Sequence, residues 1–478
     1  TECFILFDEC EKLVQDVHYR DSIREPMNDF FRFQNKALIS ATPIVPEKDS
    51  RFDGFMRVLI QPDYVYRQKL KLITTNNVLE TLQEVIEAKR GTVCIFCNSI
   101  DSIDSFYRLI PELSNACTFC SEDGQYKLWK GNRRKKSMMI TELERYNFFT
   151  SRFYSAVDIL CKNPPHVIFV SDLYGAAQSV IDPATEAIQI IGRFRGGVNS
   201  VTHIASIRPE LECMSSSEIG HWIQGASTIF NGWKAQLART TNIGERTLLQ
   251  EAIGENSYLP YLDENGKPDS FLIANFYEKE QVKRLYTSAD LLHLAYEQTG
   301  YFVFSHEERL MPVSDNERMA IQHRLAKKKR AELIVRKLEE MEKMSRATDK
   351  KIQKRYQRML MNLITSTADR YIYDCFCRFG AKFVREADYN ENKLRTALNV
   401  SSEHTIKKSG QMRTYIQRAF PVGAEISVQE AKSMLRQVYK KMGLNTGRGI
   451  TTKELEQYAE IENSRNREAR MIKILKHK

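Results

Sequence analysis

Two adjacent carboxylates, Asp8 and Glu9, close the apolar run Phe4-Ile5-Leu6-Phe7. A short apolar run of this kind reads as a buried strand, and in an α/β sheet ligands bind beyond the C-terminal ends of strands. One carboxylate placed there can hold a divalent cation while its neighbour steers an attacking water. The next strand-like run, "KALISATP", ends in small hydroxyl residues, Ser40 and Thr42. Their hydroxyls can bond backbone, metal-bound water or a neighbouring carboxylate. The chain opens on Thr1, directly before the first strand. A hydrolytic metal site normally has a phosphate loop upstream of it, so the natural start is expected to lie further upstream.

The elements that must position these groups alternate. A polar, helix-like stretch separates the two strands, and a new unit begins near Val65 with the helix "NNVLETLQEVIEAKR". Strands "TVCIFCN", "ACTFC", "YNFFTS" and "HVIFVSD" follow, then the helix "ATEAIQIIGRFR". Strands alternating with helical patterns predict a mostly parallel sheet. The expected boundaries are 1–66, 67–208, an accessory mixed region 209–320, a basic helical region 321–420 and a small terminal domain 421–478. The terminal domain reads as helix "SVQEAKSMLRQVYKKMG", a turn, helix "TTKELEQYAEI" with Thr452 as N-cap, and a closing strand "RMIKILKHK". That order is winged-helix-like.

Composition narrows the class. The 478 residues carry a formal charge of +10, which favours a polyanionic partner. No apolar run approaches the roughly 20 residues of a membrane span, so no membrane partner is expected. The ten scattered cysteines fit a reducing, cytoplasmic setting. Cys94 and Cys97 with Cys117 and Cys120 give two C-x-x-C pairs, a spacing often read as zinc. Both pairs lie in buried-strand patterns, however, and residues i and i+3 of a strand point to opposite faces. Cys375 and Cys377 read as helix core.

"DECE" followed by "SAT" resembles motifs II and III of superfamily 2 helicases. The match extends downstream. "VCIFCNS" is similar to motif IV. "TSRFYSAVDI", Thr150 to Ile159, is similar to motif V with Ala156 in place of glycine, and "QIIGRFR", Gln189 to Arg195, is similar to motif VI. The motifs stand in the family's order over residues 1–208, under half of the chain. The resemblance implies tandem RecA-like, P-loop NTPase-type lobes, the first incomplete, followed by a mostly helical C-terminal half. It implies ATP and Mg2+ as cofactors, with Asp8 on the metal, Glu9 on the water, and Ser40 and Thr42 coupling that site to the cleft. Thr150 would meet nucleic-acid backbone, Asp158 the ribose or a cleft arginine, and Gln189 the γ-phosphate. Arg193 and Arg195 would neutralise charge in phosphoryl transfer. Two departures stand out. Glu11 occupies the fourth motif II position, usually Asp or His. The second arginine follows the first by two residues, a form similar to viral origin-binding helicases rather than DEAD-box proteins.

No G-x-x-x-x-G-K-[ST] loop occurs in the sequence. "ENGKPDS" has a proline in place of the hydroxyl, and "GLNTGRGIT" has no lysine before its hydroxyls. The expectation is therefore an ATP-dependent helicase or translocase, of DNA more than RNA, present here as a piece without its phosphate loop and inactive alone. The alternatives are an ATP-independent DNA-binding protein or a replication-assembly protein on the same scaffold. Two basic stretches are candidate nucleic-acid contacts. One is Arg133, Arg134, Lys135 and Lys136. The other is Lys327, Lys328, Lys329 and Arg330, which heads a helix with an apolar face at Leu333, Ile334 and Leu338. The same run also reads as a solvated helix laced with i, i+4 pairs.

Overall fold

The computed structural model describes residues 3–18, 20–47, 49–130, 136–140, 142–155, 157–311, 313–321, 325–344, 356–357, 360–361, 364–365, 367–444, 450–465 and 469–478. They fall into two compact units, residues 1–319 and 320–478.

The first unit opens with strand β1 (Phe4–Asp8), helices α1 (Lys12–Gln15) and α2 (Pro26–Phe30), and strand β2 (Asn35–Ile39). The two strands pair in parallel with Asp8 opposite Ile39. Ile5, Phe7 and Leu38 pack against a core of Cys10, Leu13, Val14, Val17, Met27 and Phe30. The opposite face is bare: Phe4 is 65% exposed, Leu6 55% and Ile39 45%. Parallel sheets are ordinarily covered on both faces, so this layer is an unusual apolar surface.

The second sheet is built from β3 (Gln68–Thr75), β4 (Val93–Phe96), β5 (Cys117–Phe119), β6 (Lys136–Ser137), β7 (Tyr146–Phe149), β8 (His166–Ser171), β9 (Ser200–Ser206) and β10 (Phe302–Arg309). Its order is β10-β3-β9-β8-β4-β7-β5-β6, with every pairing parallel. The helices that follow its strands are α3 (Val78–Glu87), α4 (Ile100–Leu109), α5 (Glu122–Lys130), α6 (Glu186–Gly192), α7 (Ser216–Arg239), α8 (Ile243–Gly254), α9 (Ser270–Leu285), α10 (Ala289–Gln298) and α11 (Asp315–Met319). One face buries Phe96, Phe149 and Phe169 against Ile190 of α6, Tyr286 and Tyr296. The other buries Ile95, Phe148 and Ile168 against Leu82 of α3 and Phe106 of α4. An α/β fold with a parallel sheet is thus as the alternating pattern predicts. The cysteine pairs split across this sheet: Cys94 and Cys117 belong to the first core, Cys97 and Cys120 to the second.

Strand β10 comes from the region read as accessory. It runs beside β3 from Phe302 opposite Gln68 to Arg309 opposite Thr75. As an edge strand it carries polar residues on its open side, "FSHEER", which hid it from a reading keyed to apolar runs.

The second unit contains α12 (Lys327–Met344), α13 (Arg370–Glu386) and α14 (Glu391–Lys407), then a terminal module. The apolar stripe of α12 buries Ala331, Ile334, Val335 and Leu338. On α13 Cys375 is buried, but Cys377 is exposed rather than core. The module consists of α15 (Gly410–Ala419), β11 (Glu425–Ser427), α16 (Val428–Lys441), a 3-10 turn (Thr452–Gln457), β12 (Ala459–Arg465) and β13 (Arg470–His477). Its three strands are antiparallel in the order β11-β13-β12. The expected second helix is thus only a 3-10 turn, capped by a Thr451–Glu454 box one residue earlier than the sequence suggests. The end of that stretch, "AEI", opens strand β12 instead, which pairs along the second edge of β13.

Candidate functional site

Asp8 and Glu9 stand where β1 ends. Glu9 adopts φ 53°, a left-handed conformation rare for a residue with a Cβ. The Asp8 carboxylate accepts the Glu9 N–H at 2.9 Å and fixes this turn. The backbone then enters α1 at once, with Lys12 N–H bonded to the Glu9 carbonyl at 3.0 Å. Holding an αL residue costs about 1–2 kcal/mol, and here it turns the Glu9 side chain into the cleft facing α6.

Two short helices meet across that cleft in matched rungs. Gln189 on α6 donates its side-chain N–H to Glu11 Oε1 and to Thr42 Oγ1, both at 3.0 Å. One turn away, Gln15 donates to Thr185 Oγ1 at 2.9 Å. Arg193 follows one turn beyond Gln189. Its Nε donates to the Gln189 carbonyl at 3.1 Å, and its Nη1 lies 3.8 Å from Glu9 Oε1. Ser40 Oγ accepts the Thr42 N–H at 2.9 Å, which shapes the strand end that presents Thr42. The cleft therefore joins Glu9, Ser40, Thr42, Gln189 and Arg193, with Asp8 on its rim.

Glu11 is completely buried, and its Oε2 has no hydrogen-bond partner among the described residues. Burial pushes its carboxyl above the usual carboxylate range, against the opposing pull of the Ser40 hydroxyl. Glutamate in place of a shorter acid reaches α6 directly.

Other expected residues lie elsewhere. Arg195 points away from Glu9 and pairs with Asp158 at 3.0 Å, both side chains exposed. Of the two arginines, only Arg193 faces the carboxylates. Thr150 is nearly buried and directs its hydroxyl to the Phe119 carbonyl at 3.4 Å, so its contacts are with the sheet's own backbone. Lys136 is half-buried in β6. Arg133, Arg134 and Lys135 fall outside the described residues. In the second unit, Lys327 pairs with Glu391, Lys328 with Asp388 at 2.6 Å, and Arg330 with Asp369 at 2.6 Å. Lys329 has no carboxylate in ion-pair range among the described residues.

Several residues that hold the site escaped the sequence reading. Gln15 and Thr185 form the outer rung; each lies four residues from a member of the inner one, which is the signal that could have found them. Asn275 of α9 donates to the Val14 carbonyl at 2.8 Å and anchors α1. Tyr286 clamps the loop ahead of α6. Its hydroxyl donates to the Ile181 carbonyl at 2.7 Å and accepts the Ile181 N–H at 3.0 Å. That hydroxyl also meets Ser171 Oγ at 3.1 Å, which in turn meets His203 Nε2 at 3.0 Å, while His203 Nδ1 lies 2.7 Å from the Tyr296 hydroxyl. Burial holds the His203 ring neutral, down to about 3. No local pattern marks these partners, because they are far apart in sequence.

Compared with known protein families and curated proteins, the chain matches no family model and no curated sequence. No helix among the described residues is long and apolar enough to cross a membrane.

Proposed function

We propose that the first unit is the catalytic half of a nucleotide cleft in an ATP-dependent nucleic-acid helicase or translocase of superfamily 2 type, with α1/β1/β2 and the eight-stranded sheet as parts of two RecA-like lobes. The observation that carries this reading is the convergence of Gln189 on Glu11 and Thr42, with Arg193 reaching towards Glu9. Three sequence motifs distant in the chain meet at one point, as a site that reads the end of a nucleotide requires. The donor set suits a γ-phosphate and its magnesium: Asp8 would hold the ion, Glu9 would orient and deprotonate a water, and Arg193 would neutralise developing charge. Magnesium would supply charge neutralisation at the phosphate oxygens. Without the G-x-x-x-x-G-K-[ST] cradle, the chain by itself should hydrolyse ATP at background rate even with single-stranded DNA. Turnover that Glu9→Gln abolishes would overturn that requirement.

The test is binding of manganese-ATP, followed by the electron paramagnetic signal of the free ion. Wild-type chain should deplete the free signal, Asp8→Asn should not, and Arg193→Gln should lie between. Equal depletion by wild type and Asp8→Asn sinks the reading. It would leave the second one, an ATP-independent DNA-binding or replication-assembly protein on this scaffold.

A further inference from the structure

We infer that the exposed face of α16 in the terminal module is a phosphate-contacting surface for double-stranded nucleic acid. The helix buries Ala431, Leu435, Val438 and Tyr439 in the module core. It turns Gln429, Ser433, Arg436, Gln437 and Lys440 to solvent, with Lys441 exposed beside them. After Glu430, whose N–H is capped by Ser427, no carboxylate occurs along the helix. Among the described residues Arg436, Lys440 and Lys441 have no carboxylate in ion-pair range. The helix C-terminus by itself favours Lys440 and Lys441, but Arg436 lies a full turn earlier.

Elsewhere in the module several charges are matched. Across the sheet, Lys473 stands opposite Glu425 on one side and Glu462 on the other, and Lys476 stands opposite Glu460. On the 3-10 turn, Glu454 is engaged by Lys407 at 2.8 Å and by the Tyr439 hydroxyl at 2.6 Å. On α16, three cations without carboxylate partners among the described residues share one exposed face; Arg413 and Arg418 are exposed on α15 as well. That face runs roughly 16 Å from Gln429 to Lys440, on a helix about 10–12 Å wide, which matches a major groove about 12 Å across. Its neutral members are glutamine and serine, which donate to phosphate oxygens and base edges. A membrane surface fits less well, because interfacial helices need an outward apolar face, and the apolar side of α16 is the module core.

The experiment uses the full chain without nucleotide, so its outcome is independent of the cleft. Binding to a fluorescent duplex of about 20 base pairs is measured by anisotropy between roughly 50 and 200 mM KCl. R436Q/K440Q/K441Q should lower the log–log salt slope by roughly 2.7, at about 0.9 per phosphate contact, and weaken binding at least about tenfold at low salt. K327Q/K328Q should leave the slope unchanged. If the triple variant fails to fold, Arg436→Glu alone should still lower the slope by roughly 1. An unchanged slope in these α16 variants, a slope lost in K327Q/K328Q instead, or wild-type binding to phosphatidylserine vesicles but not to duplex overturns the assignment.

Discussion

Helices α12 and α16 are both strongly basic, and the structure treats them in opposite ways. The cations at the head of α12 are spent on neighbours: Lys327, Lys328 and Arg330 each reach a carboxylate brought up by the chain around α13 and α14. Farther along, Glu339 receives Arg385 at 2.5 Å. On α16 the cations face outward with no such partner among the described residues. The lesson is that a basic run in sequence and a basic surface in space are different things. What decides between them is whether the fold returns acidic residues to the same face. The expectation that Lys327 to Arg330 track phosphate therefore competes with intramolecular pairs already formed.

That contrast can be broken or sharpened by substitution. The largest effect is expected at Arg330. Asp369 is almost fully buried beneath it, so Arg330→Leu strands a buried carboxylate and should destabilise the second unit by about 3 kcal/mol. Chemical denaturation followed by circular dichroism measures this, and a loss under about 1 kcal/mol would show that the pair is not structural. The same principle of committed polar groups holds in the cleft. Gln189→Leu removes its two side-chain bonds to Glu11 and Thr42 and should cost about 2 kcal/mol in the first unit. Protection of the α1 amides from hydrogen exchange should fall with it.

A smaller effect follows from pH. Burial pushes the Glu186 carboxyl up to about 7, against the Asp182 backbone N–H that it accepts, with the Asp182 carboxylate adding to the rise. The folded state then binds this proton more tightly than the unfolded chain. Its contribution is full below the ordinary value of 4.5 and declines as pH rises through about 7. Glu186→Gln should flatten the fall in melting temperature over that window; an unaltered profile would assign the fall to other groups, Glu278 first, which burial also raises to about 7. The smallest effect is expected at Lys328, whose pair with Asp388 is exposed on both sides. Lys328→Gln should change stability by less than about 0.5 kcal/mol. A larger loss would mean that surface pairs, and not only the buried Arg330–Asp369 pair, hold α12 in place.

Much of the fold was legible because local patterns decide it. The runs "TVCIFC" and "HVIFVS" are buried on both faces and could only be interior parallel strands. The split of Cys94 and Cys97 between two cores follows from the strand period alone. Where the chain defied the reading, the deciding contact was distant. Strand β10 is recognisable only beside β3. The stretch "AEI" ends a helix-like run and opens strand β12, which pairs with β13. In the cleft, motif order brought Gln189, Arg193, Thr42 and Glu9 to attention. It could not separate Arg193 from Arg195, since only the chain path after Gly192 determines which guanidinium faces the carboxylates. Nor could it anticipate that Thr150 would spend its hydroxyl on Phe119.

The unpartnered oxygen of Glu11 has a thermodynamic consequence. Burial holds this carboxyl above the ordinary carboxylate range, against the pull of the Ser40 hydroxyl. Gln189 bonds Oε1 while Oε2 has no partner among the described residues, so the contact between α1 and α6 carries a desolvation cost that its hydrogen bond only partly offsets.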